Sequence, residues 1–280
     1  MKIAFLQDFF ENEIVGGAEQ NDSVLLNYLN NQSEFTVVPV HTYHAAAVAE
    51  CYDFFVVSNF INLPENVKQY LIRKKNYIIY EHDHKYVNTR NPAAFPRFEI
   101  PKQNIINYEF YKNAKKVFVL SNVCKNIIEN NLQIDNVYNI GCSLWSEKKF
   151  SIIRKSLSSS EKIFKYSILN SSNPVKGAEQ AKRFCNANKI EPSLIGNPDY
   201  EIFINQLSSS EHLVFFPQVL ETFSRLIAEA KMLNCKVVTT PNMSGFFSED
   251  YSSLSGTSLI DKLENQIDKA LPVFKSSIIS

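Results

Sequence analysis

HLVFFPQVLETFSRLIAEAKMLNCKVVTTP, residues 212–241, decides the fold. An apolar run (LVFF) leads into a loop. A stretch with helical apolar spacing follows, then an Asn turn, then a second apolar run (KVVTT). Runs that are apolar without alternation suit strands buried on both faces, as in parallel sheets flanked by helices. The pattern predicts a strand at 213–216, a helix at 223–233 and a strand at 236–239. Asn234 stands where the helix end needs left-handed backbone, which Asn tolerates. Ligands of such βαβ units sit at the carboxyl ends of the strands, beside helix N-termini.

The same alternation extends outward. Strands are expected at 163–169 and 191–195, and helices at 177–188, 201–208 and 258–270. Toward the N-terminus, strands are expected at 2–6, 35–40, 53–57, 77–80, 116–120 and 136–140. A helix at 18–30 lines up Leu25, Leu26 and Leu29, and one at 122–131 turns Val123, Ile127 and Ile128 inward. The stretch 151–162, containing SLSSSEK, is polar, small-residue and aperiodic, so it is the expected domain boundary. The expected fold class is α/β, with two Rossmann-like parallel-sheet domains facing across a cleft. They span 1–152 and 160–270, followed by a tail at 271–280. A chain of 280 residues is comfortable for two domains.

Hydrophobic residues make up 45% and charged residues 21%, ordinary for a globular protein, and the zero net charge gives no simple nucleic-acid signature. The charge is uneven along the chain. Residues 1–67 hold one base against nine acids, net −8; residues 68–125 hold twelve against four, net +8. Cys51, Cys124, Cys142, Cys185 and Cys235 are scattered and form no CxxC, which points away from disulfides or zinc and toward a reducing compartment. MKIAFLQDFF reads as a first strand rather than a signal peptide. No apolar stretch approaches the ~20 residues that span a bilayer. The expected location is the cytoplasm, either free or at a membrane surface.

Glu221 falls in the loop of the opening segment and Glu229 in its helix, so both can face one ligand at the strand ends. A carboxylate suits a nucleotide sugar because it accepts paired hydrogen bonds from vicinal hydroxyls. Backbone amides at Thr222, Phe223, Ser224 and Arg225 open the helix and offer a diphosphate site.

ETFSRLIAEAKMLNCKVV resembles the ExFgxxxxEAxxxGxPVV pattern of retaining GT-B glycosyltransferases, the family 4-like or group 1 proteins. GGAE at 16–19 looks like their glycine-rich loop, and YEHDH at 80–84 like their strand-then-His segment. KKVFVLSNVCKNII resembles a late strand and Ser-initiated helix, and NPVKGAEQAKRF the Lys-Gly element. The resemblance implies that Glu229 binds ribose hydroxyls and that Glu221 contacts the transferred sugar or holds the loop near it. It further implies that Lys176 neutralises the leaving diphosphate. Gly16 and Gly17 would let amides approach donor phosphates. His82 or His84 would lie at the reacting sugar. It implies a nucleotide-sugar donor and no metal, and the sequence holds no D-x-D triplet. His82 and His84 could instead be loop histidines, or with Asp83 a metal cluster; the H-x-H pair could ligate, but no third ligand is evident. Two departures stand out. LNSSNPVKG lacks the Arg that usually precedes the Lys, leaving Arg183 and Arg225 as substitutes, and Ser224 replaces the usual Gly.

Residues 85–111 interleave bases with aromatics, including Arg90, Arg97 and Phe98, and hold Pro92, Pro96 and Pro101. The stretch reads either as a solvated loop with its aromatics packed down or as an acceptor wall for something anionic. The anion would be single-stranded or flipped nucleic acid, or a lipid-phosphate carrier. The readings carried forward are a retaining glycosyltransferase, a phage-type transferase acting on a modified DNA base, and an inactive scaffold of the same fold.

Overall fold

The structure is a computed structural model and describes residues 1–14 and 16–280. Two compact units emerge. One comprises Met1–Leu144 with Gln266–Ser280; the other is Trp145–Asn265.

In the first unit the described strands are β1 (Lys2–Gln7), β2 (Thr36–His41), β3 (Phe54–Val57), β4 (Tyr77–Tyr80), β5 (Val117–Val119) and β6 (Val137–Asn139). They pair in parallel in the order β2-β1-β3-β4-β5-β6. The inner strands β3 and β4 are buried along their whole length, as FFVV and YIIY require. Pro39 has no N–H to give and sits on the edge strand β2, where none is needed. The helices are α1 (Gly17–Asn30), α2 (Ala45–Val48), α3 (Glu65–Lys74), α4 (Tyr108–Lys112) and α5 (Asn122–Leu132). Helix α3 escapes sequence reading because it is mostly polar and buries only Val67 and Leu71, one turn apart.

In the second unit β7 (Phe164–Leu169), β8 (Ser193–Ile195), β9 (Ser210–Val214) and β10 (Lys236–Val238) form a parallel sheet in the order β10-β9-β7-β8. Its helices include α6 (Glu147–Ser159), α7 (Ala178–Ala187), α8 (Tyr200–Ser208) and α9 (Arg225–Met232). Ile168, Val214, Ala181 and Cys185 are buried between sheet and α7. Lys162 Nζ donates to the carbonyls of Ser208, Ser210 and Leu233 at 2.8, 2.9 and 2.9 Å, closing off two helix ends and the start of β9.

The structure corrects the expected linker at 151–162, most of which is the helix α6. Ser146 caps α6 by accepting from Lys149 N, and Phe150, Ile153 and Ser156 are buried on one face. The serines that hid the helix are satisfied within it or beside it. Ser158 and Ser159 donate to the carbonyls four residues back, and Ser156 donates to Asn205. The division between units accordingly falls at Leu144–Trp145, ahead of this helix. The expected tail at 271–280 is instead the end of α10 (Gly256–Ile279). Residues of α10 from Gln266 onward belong to the first unit. There Phe274 stacks on Phe118 at 3.9 Å and meets Tyr80 edge-on at 5.0 Å. Among the described residues no helix is long and apolar enough to cross a membrane.

Candidate active site

The opening segment builds its loops at the carboxyl end of the second sheet. The chain leaves β7, makes a 3-10 turn at Pro174–Lys176 and reverses at Gly177, whose φ is +68°. A Cβ there would lie 1.7 Å from the Phe216 carbonyl oxygen, so the glycine allows the turn to press onto the end of β9. Gln218 N donates to Val175 O at 2.8 Å across the same approach. The result sets Lys176 Nζ 2.8 Å from Glu221 Oε1, although the residues are far apart in sequence. Glu221 is itself held by backbone. Its N–H donates to Met243 O, and its carbonyl accepts from Gly245 N. Lys176 is 38% exposed and Glu221 16%, so the pair adds little stability. What it does is hold an ammonium group, still open to solvent, at the strand ends.

Helix α9 begins at Arg225, two residues later than expected, because Ser224 is left-handed (φ 75°, ψ 83°). That conformation suits glycine, the residue usual here in the resembled pattern, and costs a serine ~1–3 kcal/mol. The buried Ser224 Oγ has no hydrogen-bond partner among the described residues. Asn234, with φ 53°, takes the left-handed turn expected of it. Thr222 is half-buried beside this corner. Phe223, whose backbone amide was the group expected at the donor, packs its side chain in the core, with its ring edge-on to Phe246 at 5.6 Å and to Trp145 at 6.2 Å.

Glu229 does not join Lys176 and Glu221 as a second open carboxylate. It is 4% exposed, one turn into α9. Its Oε1 accepts from Trp145 Nε1 at 2.9 Å and from Tyr200 Oη at 2.9 Å. Arg225 stands 3.7 Å from the same oxygen and 4.4 Å over the Trp145 ring. Burial first, and the Glu229 charge second, push the Tyr200 phenol well above its usual range. Of the two candidate substitute arginines, Arg225 is committed to this cluster and Arg183 is exposed on α7.

In the first unit Gly16 caps α1 in extended backbone and Gly17 is its first residue. His82, just past β4, is buried and places Nε2 3.0 Å from Asp22 Oδ1 on α1. Ser58 Oγ donates to the same carboxylate at 2.6 Å. Glu19 lies alongside, accepting from Asn59 at 3.3 Å, and burial raises its pKa above the usual carboxylate range. His84 is buried in the following turn with φ 60°, its Nδ1 3.0 Å from Tyr86 Oη.

Sequence reading missed a further ionic cluster in the same turn. Glu81 and Lys85 are both buried, with Lys85 Nζ 3.0 Å from Glu81 and 2.5 Å from Asp83. The Tyr111 hydroxyl donates to the other Glu81 oxygen, and Asp83 N donates at 2.9 Å to the one facing Lys85. Burial alone would raise the Glu81 pKa, but the Lys85 charge and these donors hold it down to about 2. The only signal in the sequence was four-residue spacing of opposite charges, which reads as surface pairing anywhere.

In the proposed acceptor wall Arg90 pairs with Asp83 and Arg97 with Glu99, each at 3.0 Å. Arg90, Arg97 and Phe98 all have left-handed backbone in a segment of short 3-10 turns. Tyr86, Phe110 and Tyr111 are packed inside. Among the described residues no group of three or more His, Cys, Asp or Glu is placed to hold a metal ion.

No family model and no curated protein sequence matches the chain. Solved structures do. The chain is similar to a sucrose-phosphate synthase from Thermosynechococcus elongatus at 10% identity and TM-score 0.68, covering 98% of each chain. The fold is GT-B. A second likeness is to the trehalose-6-phosphate phosphatase N-terminal domain of Candida albicans, at 8% identity and TM-score 0.60, covering 99% of this chain and 98% of that one. An alpha-glucosyltransferase solved with UDP and a 13-mer DNA containing an HMU base follows at 10% identity and TM-score 0.50, covering 99% and 93%. At these identities the likeness is one of fold.

Proposed function

We propose that this chain is a glycosyltransferase that moves a sugar from a nucleotide-diphosphate donor to an acceptor hydroxyl, with retention at the transferred carbon. The observation that carries the reading is the Lys176–Glu221 pair at the carboxyl end of the second sheet, fixed by a glycine turn that admits no side chain. Parallel sheets take their ligands at that end. The names of two fold neighbours, a sucrose-phosphate synthase and an alpha-glucosyltransferase solved with UDP, support sugar transfer and a UDP-linked donor.

In this scheme the bond between the anomeric carbon and the phosphate oxygen breaks. The acceptor oxygen bonds to the same carbon on the same face, and its proton passes to the departing phosphate oxygen. Lys176 and the amides around Ser224 at the start of α9 carry the growing phosphate charge. Glu221 holds the ammonium in place and yields it partly to the donor. Glu229 acts indirectly by fixing Trp145 and Tyr200. His82, oriented by Asp22, serves the transferred sugar, while the Glu19 carboxylate lies against Gly16 at the start of α1. The scheme uses no metal. It places the enzyme in the cytoplasm, where its five free cysteines stay reduced.

Calorimetric titration with UDP and turnover of UDP-glucose test the reading. UDP binding that Lys176→Ala weakens supports it. Absence of binding by UDP, GDP, CMP and ADP sends the chain to the inactive-scaffold reading. DNA as acceptor is a second reading, favoured by the neighbour solved with HMU-containing DNA. The internal pairing of Arg90 and Arg97 counts against it. Retention of labelled DNA on a filter at low salt, lost as salt rises, is the result it needs.

A further inference from the structure

A pocket of about 580 Å³ opens in the first unit between the β1–α1 loop, the first turns of α1 and the edge strand β2. That volume is in the range that holds a small organic ligand. Gln7, Phe10, Glu11, Asn12, Glu19 and Ser23 line it, over an apolar floor of Leu26 and Pro39. None of these lining residues is a lysine or arginine.

The pocket is preorganised. The buried Asp8 carboxylate accepts from the Thr42 hydroxyl, from Ile61 N at 2.8 Å and from Asn62 N at 3.1 Å. One side chain thereby joins the loops that follow β1, β2 and β3. Phe10 N donates to Glu13 at 2.8 Å, and Glu13 lies 3.3 Å from His41. The His41 ring lies 4.0 Å from the Phe10 ring and stacks 4.9 Å from Tyr43. The Phe10 ring is thus held at the pocket wall and only half-buried.

A fixed aromatic face beside carboxylates, amides and a hydroxyl matches one ligand class well. Ring C–H groups rest on the aromatic face, while vicinal hydroxyls meet carboxylate and amide groups in pairs. Glu11 and Glu19 repel phosphates and uronic acids. Pro39 leaves no backbone N–H at the floor to satisfy an anion.

We propose that this pocket binds an uncharged pyranose ring, which makes the acceptor a neutral saccharide. The inference rests on the glycosyl-transfer reading for the word acceptor, but the binding site itself does not need it. It also replaces the basic segment as the acceptor-recognising surface.

Saturation-transfer NMR on the full chain tests it, with the methyl glycosides of glucose, galactose and mannose as probes and glucose 6-phosphate as the anionic counterpart. At least one neutral glycoside receives transfer, and glucose 6-phosphate receives less. Phe10→Ala weakens binding roughly tenfold, the loss of one well-packed ring contact. Ser23→Trp, which fills the pocket from α1, abolishes it while circular dichroism stays that of the parent. Lys176→Ala keeps the glycoside signal and loses UDP. Absence of transfer to every neutral glycoside, unchanged transfer in Ser23→Trp, or preference for glucose 6-phosphate overturns the proposal. Glycoside binding without any nucleotide binding overturns the glycosyl-transfer reading and leaves the saccharide site standing.

Discussion

Replacing Lys85 by Met removes the only ammonium that reaches the buried Glu81 carboxylate among the described residues. The two charges are 3.0 Å apart and almost wholly out of solvent, so the substitution strands a carboxylate with the Tyr111 hydroxyl and nearby amides as its remaining donors. Breaking a buried pair in this way costs about 3–5 kcal/mol, far more than the surface pairs of the same segment are worth. The pH dependence has a definite sign. The Glu81 pKa is depressed from 4.5 to about 2 in the folded protein. Its contribution to stability is complete above the unfolded value and lost as pH falls from there through about 2. In Lys85→Met the folded pKa rises, so the acid limb of stability moves to higher pH. Urea unfolding followed by far-UV dichroism across acid to neutral pH measures both effects. The double variant Glu81→Gln with Lys85→Met recovers most of the loss, because no bare charge remains. A Lys85→Met loss of about 1 kcal/mol or less at neutral pH, the level of an exposed pair, would refute the reasoning.

Lys176→Ala lowers kcat with UDP-glucose by more than ~100-fold, the scale of removing one charge-stabilising group, with little change in thermal stability. Parent-like turnover removes Lys176 from the site. Gly177→Ala destabilises the second unit by several kcal/mol, of which left-handed backbone accounts for about 1–2 and the approach to the Phe216 carbonyl for the rest; a thermal melt reads it. Glu229→Ala leaves the Trp145 indole and the Tyr200 hydroxyl without their acceptor, at about 1–3 kcal/mol each. Glu229→Gln retains an acceptor oxygen and loses clearly less. Equal losses in the two Glu229 variants, read from urea midpoints, would show that the carboxylate does not hold those side chains.

Much of the fold was legible in the sequence because parallel strands buried on both faces must be apolar without alternation. FFVV, YIIY, LVFF and KVV announce themselves, and the order of runs and helices implies two Rossmann-like sheets. Helix α6 was illegible because its serines satisfy their hydroxyls on carbonyls of the preceding turn and on Asn205, partners that composition does not display. Helix α10 was cut short because the contact that extends it, Phe274 on Phe118, is remote in sequence.

The site divides in the same way. Sequence alone placed Lys176 and Glu221 in the loops that follow strands and Glu229 in the helix beyond, because local pattern fixes which element a residue occupies. Only the tertiary structure decided that Lys176 closes on Glu221 while Glu229 turns inward to Trp145 and Tyr200. It likewise decided that Glu81 and Lys85 neutralise each other in the interior, and that Phe10 stands braced by His41 at an acidic pocket. Periodicity reports the face a residue prefers. The partner it finds there depends on which distant segment the sheet order brings alongside, and on how much water that contact excludes.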